Sequence, residues 1–327
     1  MNVLIYISWP VKAWNISDAH VELLRERFPH VTFLHAPDLE SAQRLIGGAE
    51  VGFTPFLTPE MVQGAPRLRW VHSSAAAVQG LLPLADLSKR GIVVTNSRGI
   101  QAIPMAEHVM GGLLVLARRF DAMLAAQRER RWIQNELVDD WPWMLHGRTM
   151  TIVGLGTIGI EIARRASAFG MRVTGVRRRP DEPRPSFVDR VVGPDRLNDA
   201  LEGCDVLVLC APGIAATNRM IGAEQLATLK RGAILVNVAR GQIVDEAAMC
   251  RALGDGHLGG AVLDVFEREP LDASSPLWSI PNVVITPHCS GLRAAHWDEI
   301  IDLFSDNLRR FQGGEALKNV VDPSAGY

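Results

Sequence analysis

Apolar residues in this chain come in short, nearly continuous runs, separated by segments whose apolar positions recur every three or four residues. VLIYI from Val3, VTFL from Val31, the run 51–53, RWVH from Arg69 and GIVVTN from Gly91 form one series. TMTIVGLG from Thr149, MRVTGV from Met171, DVLVLCAP from Asp205, GAILVNVARG from Gly232, GAVLDVF from Gly260 and NVVITPH from Asn282 form a second. Runs of this kind, bounded by Gly, Pro or Asp, predict strands buried on both faces of a parallel sheet, with helices as the crossovers. Between the two series the pattern predicts one long helix over 103–131, with Pro104 in its first turn, where a missing N–H does no harm. A closing helix is expected over 293–312, where Ile300, Ile301, Phe304, Leu308 and Phe311 recur at near-helical spacing. The expected fold class is α/β, with parallel sheets and crossover helices.

Length agrees with two domains, because 327 residues exceed what one ordinary core holds. A net charge of −2 supplies no basic field for phosphate backbones, so no nucleic-acid partner is expected. Cys204, Cys210, Cys250 and Cys289 form no C-x-x-C pair and no zinc-like spacing with histidine, so neither a disulfide framework nor a metal site is expected. The amino-terminal run reads as a first strand rather than a signal peptide, since it has no basic flank or small-residue cleavage site. The most lipid-like run, VMGGLLVLA from Val109, is about half of the roughly 20 residues a span requires. The expectation is a cytoplasmic protein with no membrane partner.

The second series opens with the most informative motif. Its first strand runs into Gly154, Leu155, Gly156, Thr157, Ile158 and Gly159, followed by a helical pattern. In a G-x-G-x-x-G turn at a strand-to-helix junction, the first glycine permits the tight turn and the second lets backbone approach a pyrophosphate. The third allows close packing of helix on strand, and the free N–H groups of the helix start face the phosphates. The next strand ends in Arg177, Arg178 and Arg179, where an acid would hold the ribose 2′-hydroxyl of NAD. Lacking that acid and carrying guanidinium groups that pair with a 2′-phosphate, the loop points to NADP(H) as the preferred cofactor, with NAD(H) as the alternative.

Three more segments fall at carboxyl ends of predicted strands, the edge at which open α/β sheets bind ligands. NVARG brings Arg240, DVFEREP brings Asp264 and Glu269, and PHCSG brings His288. An arginine, a carboxylate and a histidine suit reduction of a 2-oxo acid. Arginine recognises the acid with a planar permanent charge, and an imidazole can neutralise the oxygen that becomes negative as hydride arrives. A carboxylate beside the imidazole keeps it oriented.

With GLGTIG, NVARG, DVFEREP and PHCSG in this order after PMAEHVMGGLLVLAR, the chain resembles the D-isomer-specific 2-hydroxyacid dehydrogenase family, in particular its glyoxylate/hydroxypyruvate reductase branch. The resemblance covers essentially the whole chain. It implies two Rossmann-like domains, each a doubly wound parallel sheet: a flavodoxin-like substrate domain from residues 1–98 and 290–327, with a dinucleotide-binding domain, 99–289, inserted. It further implies that Arg240 binds the substrate, Glu269 pairs with the histidine and His288 is the acid/base. Ala211, Pro212, Thr217, Val238, Ala239, Asp264 and Gly291 would line the cofactor, with Asp264 on the nicotinamide side. The family's substrate-carboxylate loop falls on Ser74 to Gln79, where alanine replaces the usual glycine and Gln79 stands where an acid is common. Ala76 and Ala77 are its candidate ligands, provided that Ala77 avoids positive φ. Trp132, Trp141 and Trp143 fall where the resemblance places a dimer arm, so a homodimer is expected, although core packing would account for these residues as well. His108 and the methionines of the long helix read as structural.

The reading is therefore a reductase of a small 2-oxo acid. A family dehydrogenase of another substrate, such as phosphoglycerate, is one alternative. A dinucleotide-sensing binding protein of the same superfamily is the other. Formate-type enzymes fit less well, because Glu269 stands where they carry Gln.

Overall fold

Most strands of this protein send alternate side chains into two different cores. In the computed structural model, which describes residues 1–78, 80–139 and 141–323, the chain divides into two compact units, Met1–Ile100 with Leu292–Tyr327, and Gln101–Gly291. Gln79 lies outside the described residues.

In the first unit β1 (Asn2–Ile5), α1 (Asp18–Arg27), β2 (Thr32–His35), α2 (Leu39–Leu45), β3 (Val51–Phe53), α3 (Pro59–Gln63), β4 (Trp70–Ser73), α4 (Leu84–Lys89) and β5 (Val93–Asn96) alternate. The strands pair in parallel in the order β2-β1-β3-β4-β5, the flavodoxin-like order. Leu4 joins the core on one face of the sheet, while Val3 and Ile5 join the core on the other. Ser17 caps α1 by accepting from the His20 amide, as a serine before an amphipathic run is expected to do.

The second unit begins with α5 (Ala102–Arg118) and α6 (Phe120–Arg128). The single helix expected over 103–131 is thus corrected to two. Arg119 takes a left-handed conformation (φ 56°), and the Ala117 carbonyl accepts from the Trp143 amide at 2.8 Å. That bond supplies the carbonyl with a partner from outside the helix, so α5 can end without leaving it unpaired. The chain continues through β6 (Thr149–Val153), α7 (Thr157–Ala168), β7 (Arg172–Val176), β8 (Arg190–Val192), α8 (Leu197–Leu201), β9 (Val206–Leu209), α9 (Ala223–Thr228), β10 (Ala233–Asn237), α10 (Glu246–Gly254), β11 (Leu258–Leu263) and β12 (Val283–Ile285). These strands form a parallel sheet in the order β12-β11-β10-β9-β6-β7-β8, the Rossmann order with one strand more. Leu207, Leu209 and Leu235 face one core, and Val206, Val208 and Val236 the other. β8, only three residues long, is absent from the series that the pattern predicts.

α11 (His296–Gly313) returns to the first unit, with Ile300, Ile301, Phe304 and Leu308 buried. Phe304 stacks on Phe53 at 4.2 Å between centroids and on Trp70 at 5.5 Å. Among the described residues, no helix is long and apolar enough to cross a membrane.

Candidate active site

In the second unit the strand order reverses between β6 and β9, and at such a switch point the carboxyl ends of the strands open a crevice for ligand. Gly154 follows β6 with φ 103°, and a Cβ there would come within 2.5 Å of the Ala211 nitrogen, so only glycine fits. A Cβ on Gly159 would lie 2.3 Å from the Gly154 carbonyl oxygen, which is the close helix-to-loop packing expected of the third glycine. Gly156 faces open space, and α7 starts there without a side-chain cap. Leu155 is buried, and Thr157 and Ile158 open the helix. An open approach beside uncapped N–H groups suits a pyrophosphate, so these residues fit a dinucleotide.

The arginine loop after β7 is less uniform than its sequence. Arg177 donates through its guanidinium to the carbonyls of Glu182 and Pro183, and Arg179 pairs with Glu182 at 2.9 Å. Arg178 is exposed. The fold therefore turns Arg177 onto its own loop.

After β9, Cys210 donates its buried thiol to the Gly154 carbonyl at 3.1 Å, tying the two lips of the crevice together. Burial pushes that thiol up to about 12. Ala211 and Pro212 follow, and the Thr217 hydroxyl donates to the Pro212 carbonyl at 2.7 Å and accepts from the Ile214 amide at 2.9 Å, closing this loop. Beyond β10, the Asn237 side chain accepts from the Ala239 amide and donates to the Arg240 carbonyl, both at 3.0 Å. The turn is thereby fixed, with Val238 and Ala239 buried. Arg240 donates to the Ala239 carbonyl at 2.6 Å. Burial lowers its pKa, and the charge of Glu269 opposes that shift.

The predicted histidine and carboxylate do meet. Nδ1 of His288 lies 2.6 Å from Oε2 of Glu269, and Oε1 of Glu269 accepts from the Phe266 amide at 3.1 Å. Burial pushes the Glu269 carboxyl up. The bonds from His288 and Phe266, together with the charges of His288 and Arg240, outweigh it and hold the pKa below the ordinary value. His288 takes a left-handed backbone (φ 51°), rare outside glycine, which aims the ring where an extended residue would not.

Asp264 is fully buried, and both its oxygens bond within the histidine loop. Oδ1 accepts from the Thr286 hydroxyl at 2.6 Å and the Cys289 amide at 2.9 Å, and Oδ2 from the Ser290 amide at 2.9 Å. His108, read as structural from sequence, brings Nε2 within 3.1 Å of the Thr286 hydroxyl. No sequence signal joins two residues 178 apart. Gly291 packs against the Gln101 side chain. In the first unit, Asn96 donates to the Ala76 carbonyl at 2.7 Å, and neither Ala76 nor Ala77 takes positive φ, so alanine is unstrained there.

Comparison with known proteins agrees with this geometry. Residues 110–290 match the NAD-binding domain of the D-isomer-specific 2-hydroxyacid dehydrogenases. A glyoxylate reductase of Korarchaeum cryptofilum is 37% identical over 270 residues, covering 80% of this chain and 79% of that protein. A family protein from Aeromonas salmonicida superposes with a TM-score of 0.83 at 35% identity, covering 98% of this chain and 99% of the other. An NADPH-dependent glyoxylate/hydroxypyruvate reductase from Sinorhizobium meliloti, solved with NADP and sulfate, gives a TM-score of 0.83 at 28% identity, covering 100% and 99%.

Proposed function

The chain belongs to the D-isomer-specific 2-hydroxyacid dehydrogenase family, and from that premise we propose that it reduces glyoxylate, hydroxypyruvate or a similarly small 2-oxo acid to the D-2-hydroxy acid, preferring NADPH. It is an NAD(P)-dependent oxidoreductase acting on 2-oxo acids, and the finer reading rests above all on the 2.6 Å contact between His288 and Glu269.

A carboxylate only accepts hydrogen bonds, so Nδ1 of His288 carries a proton and Nε2 is the nitrogen proposed to exchange one with substrate. When bound, the reduced nicotinamide supplies the hydride. His288 then delivers a proton from Nε2 to the carbonyl oxygen as its negative charge grows, and takes it back in the reverse direction. Glu269 fixes the tautomer and stabilises the imidazolium form. Arg240, partly withdrawn from water, binds the substrate carboxylate with a charge that is screened less than at the surface.

The cofactor would lie along Gly154, Leu155, Gly156, Thr157, Ile158 and Gly159, with Ala211, Pro212, Val238 and Ala239 beside it and the free amides of α7 on the pyrophosphate. Arg177 and Arg178, which follow β7, are the proposed partners of a 2′-phosphate. Absence of an acid at the end of β7 supports the same preference. A homodimer is part of this reading, through the exposed Trp132 and Trp141.

Steady-state oxidation of NADPH and NADH against a panel of 2-oxo acids tests the proposal. A higher kcat/KM for NADPH with glyoxylate or hydroxypyruvate is expected. A higher value for NADH would overturn the preference, and turnover confined to bulky 2-oxo acids would overturn the substrate class.

A further inference from the structure

His288 holds a strained backbone conformation in a loop that would not keep it unaided. Its own amide is shared between the Asp264 carbonyl at 3.0 Å and the Thr286 carbonyl at 3.1 Å, and the next two amides donate to the Asp264 carboxylate, so one buried acid takes part in holding three successive N–H groups. What orients that carboxylate lies outside the motif. The Thr286 hydroxyl has one proton, which it donates to Oδ1 of Asp264 at 2.6 Å, in preference to the Leu263 carbonyl at 3.5 Å. Its oxygen can then only accept from His108, so Nε2 of His108 bears a proton. That nitrogen also stands 4.0 Å from Oδ1 of Asp264. The result is a directed chain, His108 to Thr286 to Asp264, running from α5 into the loop that carries His288.

We infer that His108 and Thr286 are positioning residues for the reaction, holding Asp264 so that its carboxylate keeps the His288 loop in its left-handed conformation with the imidazole on Glu269. They touch neither Glu269 nor the ring of His288 in any hydrogen bond among the described residues. Their action passes through the backbone. The inference rests on His288 being the acid/base, as proposed above.

Paired variants separate hydrogen bonding from packing. Thr286→Val keeps the shape and removes the hydroxyl, whereas Thr286→Ser keeps the hydroxyl. His108→Leu removes the donor, whereas His108→Gln places an amide N–H near the same point. The expected result is a fall in kcat of about 10-fold for Thr286→Val and for His108→Leu, with dinucleotide Kd unchanged and recovery to within about 3-fold in Thr286→Ser and His108→Gln. Amide hydrogen exchange at Cys289 and Ser290, followed in the cofactor-free protein, should quicken in the two damaging variants and not in the two conservative ones. Unchanged exchange in Thr286→Val would overturn the inference, as would conservative variants as slow as the damaging ones. Faster exchange with unchanged kcat would also overturn it. If kcat is unchanged in His288→Ala too, it is the acid/base reading that has failed.

Discussion

His288 and Glu269 meet through a short contact at Nδ1, and the proton inventory of that contact decides which nitrogen serves the proposed proton transfer. Glu269→Gln leaves a neutral partner whose amide can present either a donor or an acceptor to Nδ1, so the tautomer is no longer fixed. We expect kcat to fall by about 10- to 100-fold with little change in dinucleotide affinity, checked by stopped-flow turnover and fluorescence titration. A second histidine gives a test of folding. His72 is fully buried, accepting at Nδ1 from the Thr95 hydroxyl at 2.7 Å while Trp70 donates to the same hydroxyl at 2.9 Å. Burial pushes its pKa down from 6.5 to about 3. The unfolded chain takes a proton near pH 6.5 that the folded chain refuses until about 3, so this contribution is complete above pH 6.5 and shrinks as pH falls through that window. The loss is at most about 1.4 kcal/mol per pH unit. Urea midpoints measured between pH 7.5 and 5 should decline, and His72→Gln should flatten the decline. An equal slope in that variant would contradict the assignment.

Among the elements, the β6 turn and α7 were the most legible, because glycine spacing at a strand end has few other causes. Gly154→Ala forces a Cβ against the Ala211 backbone and into positive φ. The expected outcome is a lower Tm and dinucleotide binding weakened by about 10-fold or more, read by thermal shift with and without NADPH. Less legible was the end of α5. Periodicity continued through Arg119, and only the Trp143 amide, arriving from 26 residues further on, supplies the partner that lets the helix stop. β8 was equally hidden, since three residues at a sheet edge carry too little pattern to separate from a loop. Three adjacent arginines look interchangeable in sequence, whereas in the structure the first donates to the carbonyls of Glu182 and Pro183. On the proposed 2′-phosphate contact, Arg178→Ala should raise KM for NADPH by about 10-fold and leave that for NADH nearly unchanged.

For the whole molecule, two parallel sheets with different strand orders divide the chain, and each order was implied by the family resemblance rather than by periodicity alone. Of the three tryptophans expected at a dimer arm, Trp143 packs against the core of the second unit and lies under the Arg148 guanidinium, whereas Trp132 is 88% and Trp141 69% exposed. Sequence could not separate them, since packing and interface use call for the same residue type. If Trp132 and Trp141 hold a homodimer, Trp132→Ser with Trp141→Ser should shift sedimentation toward monomer. An unchanged oligomer would exclude them. The proposed reduction depends on His288 as the proton donor to the substrate oxygen. Single-turnover reduction of glyoxylate by the enzyme preloaded with NADPH, comparing wild type with His288→Ala, tests this most directly. The predicted result is a rate lowered by about 10²-fold or more with NADPH still bound. An undiminished rate would contradict it.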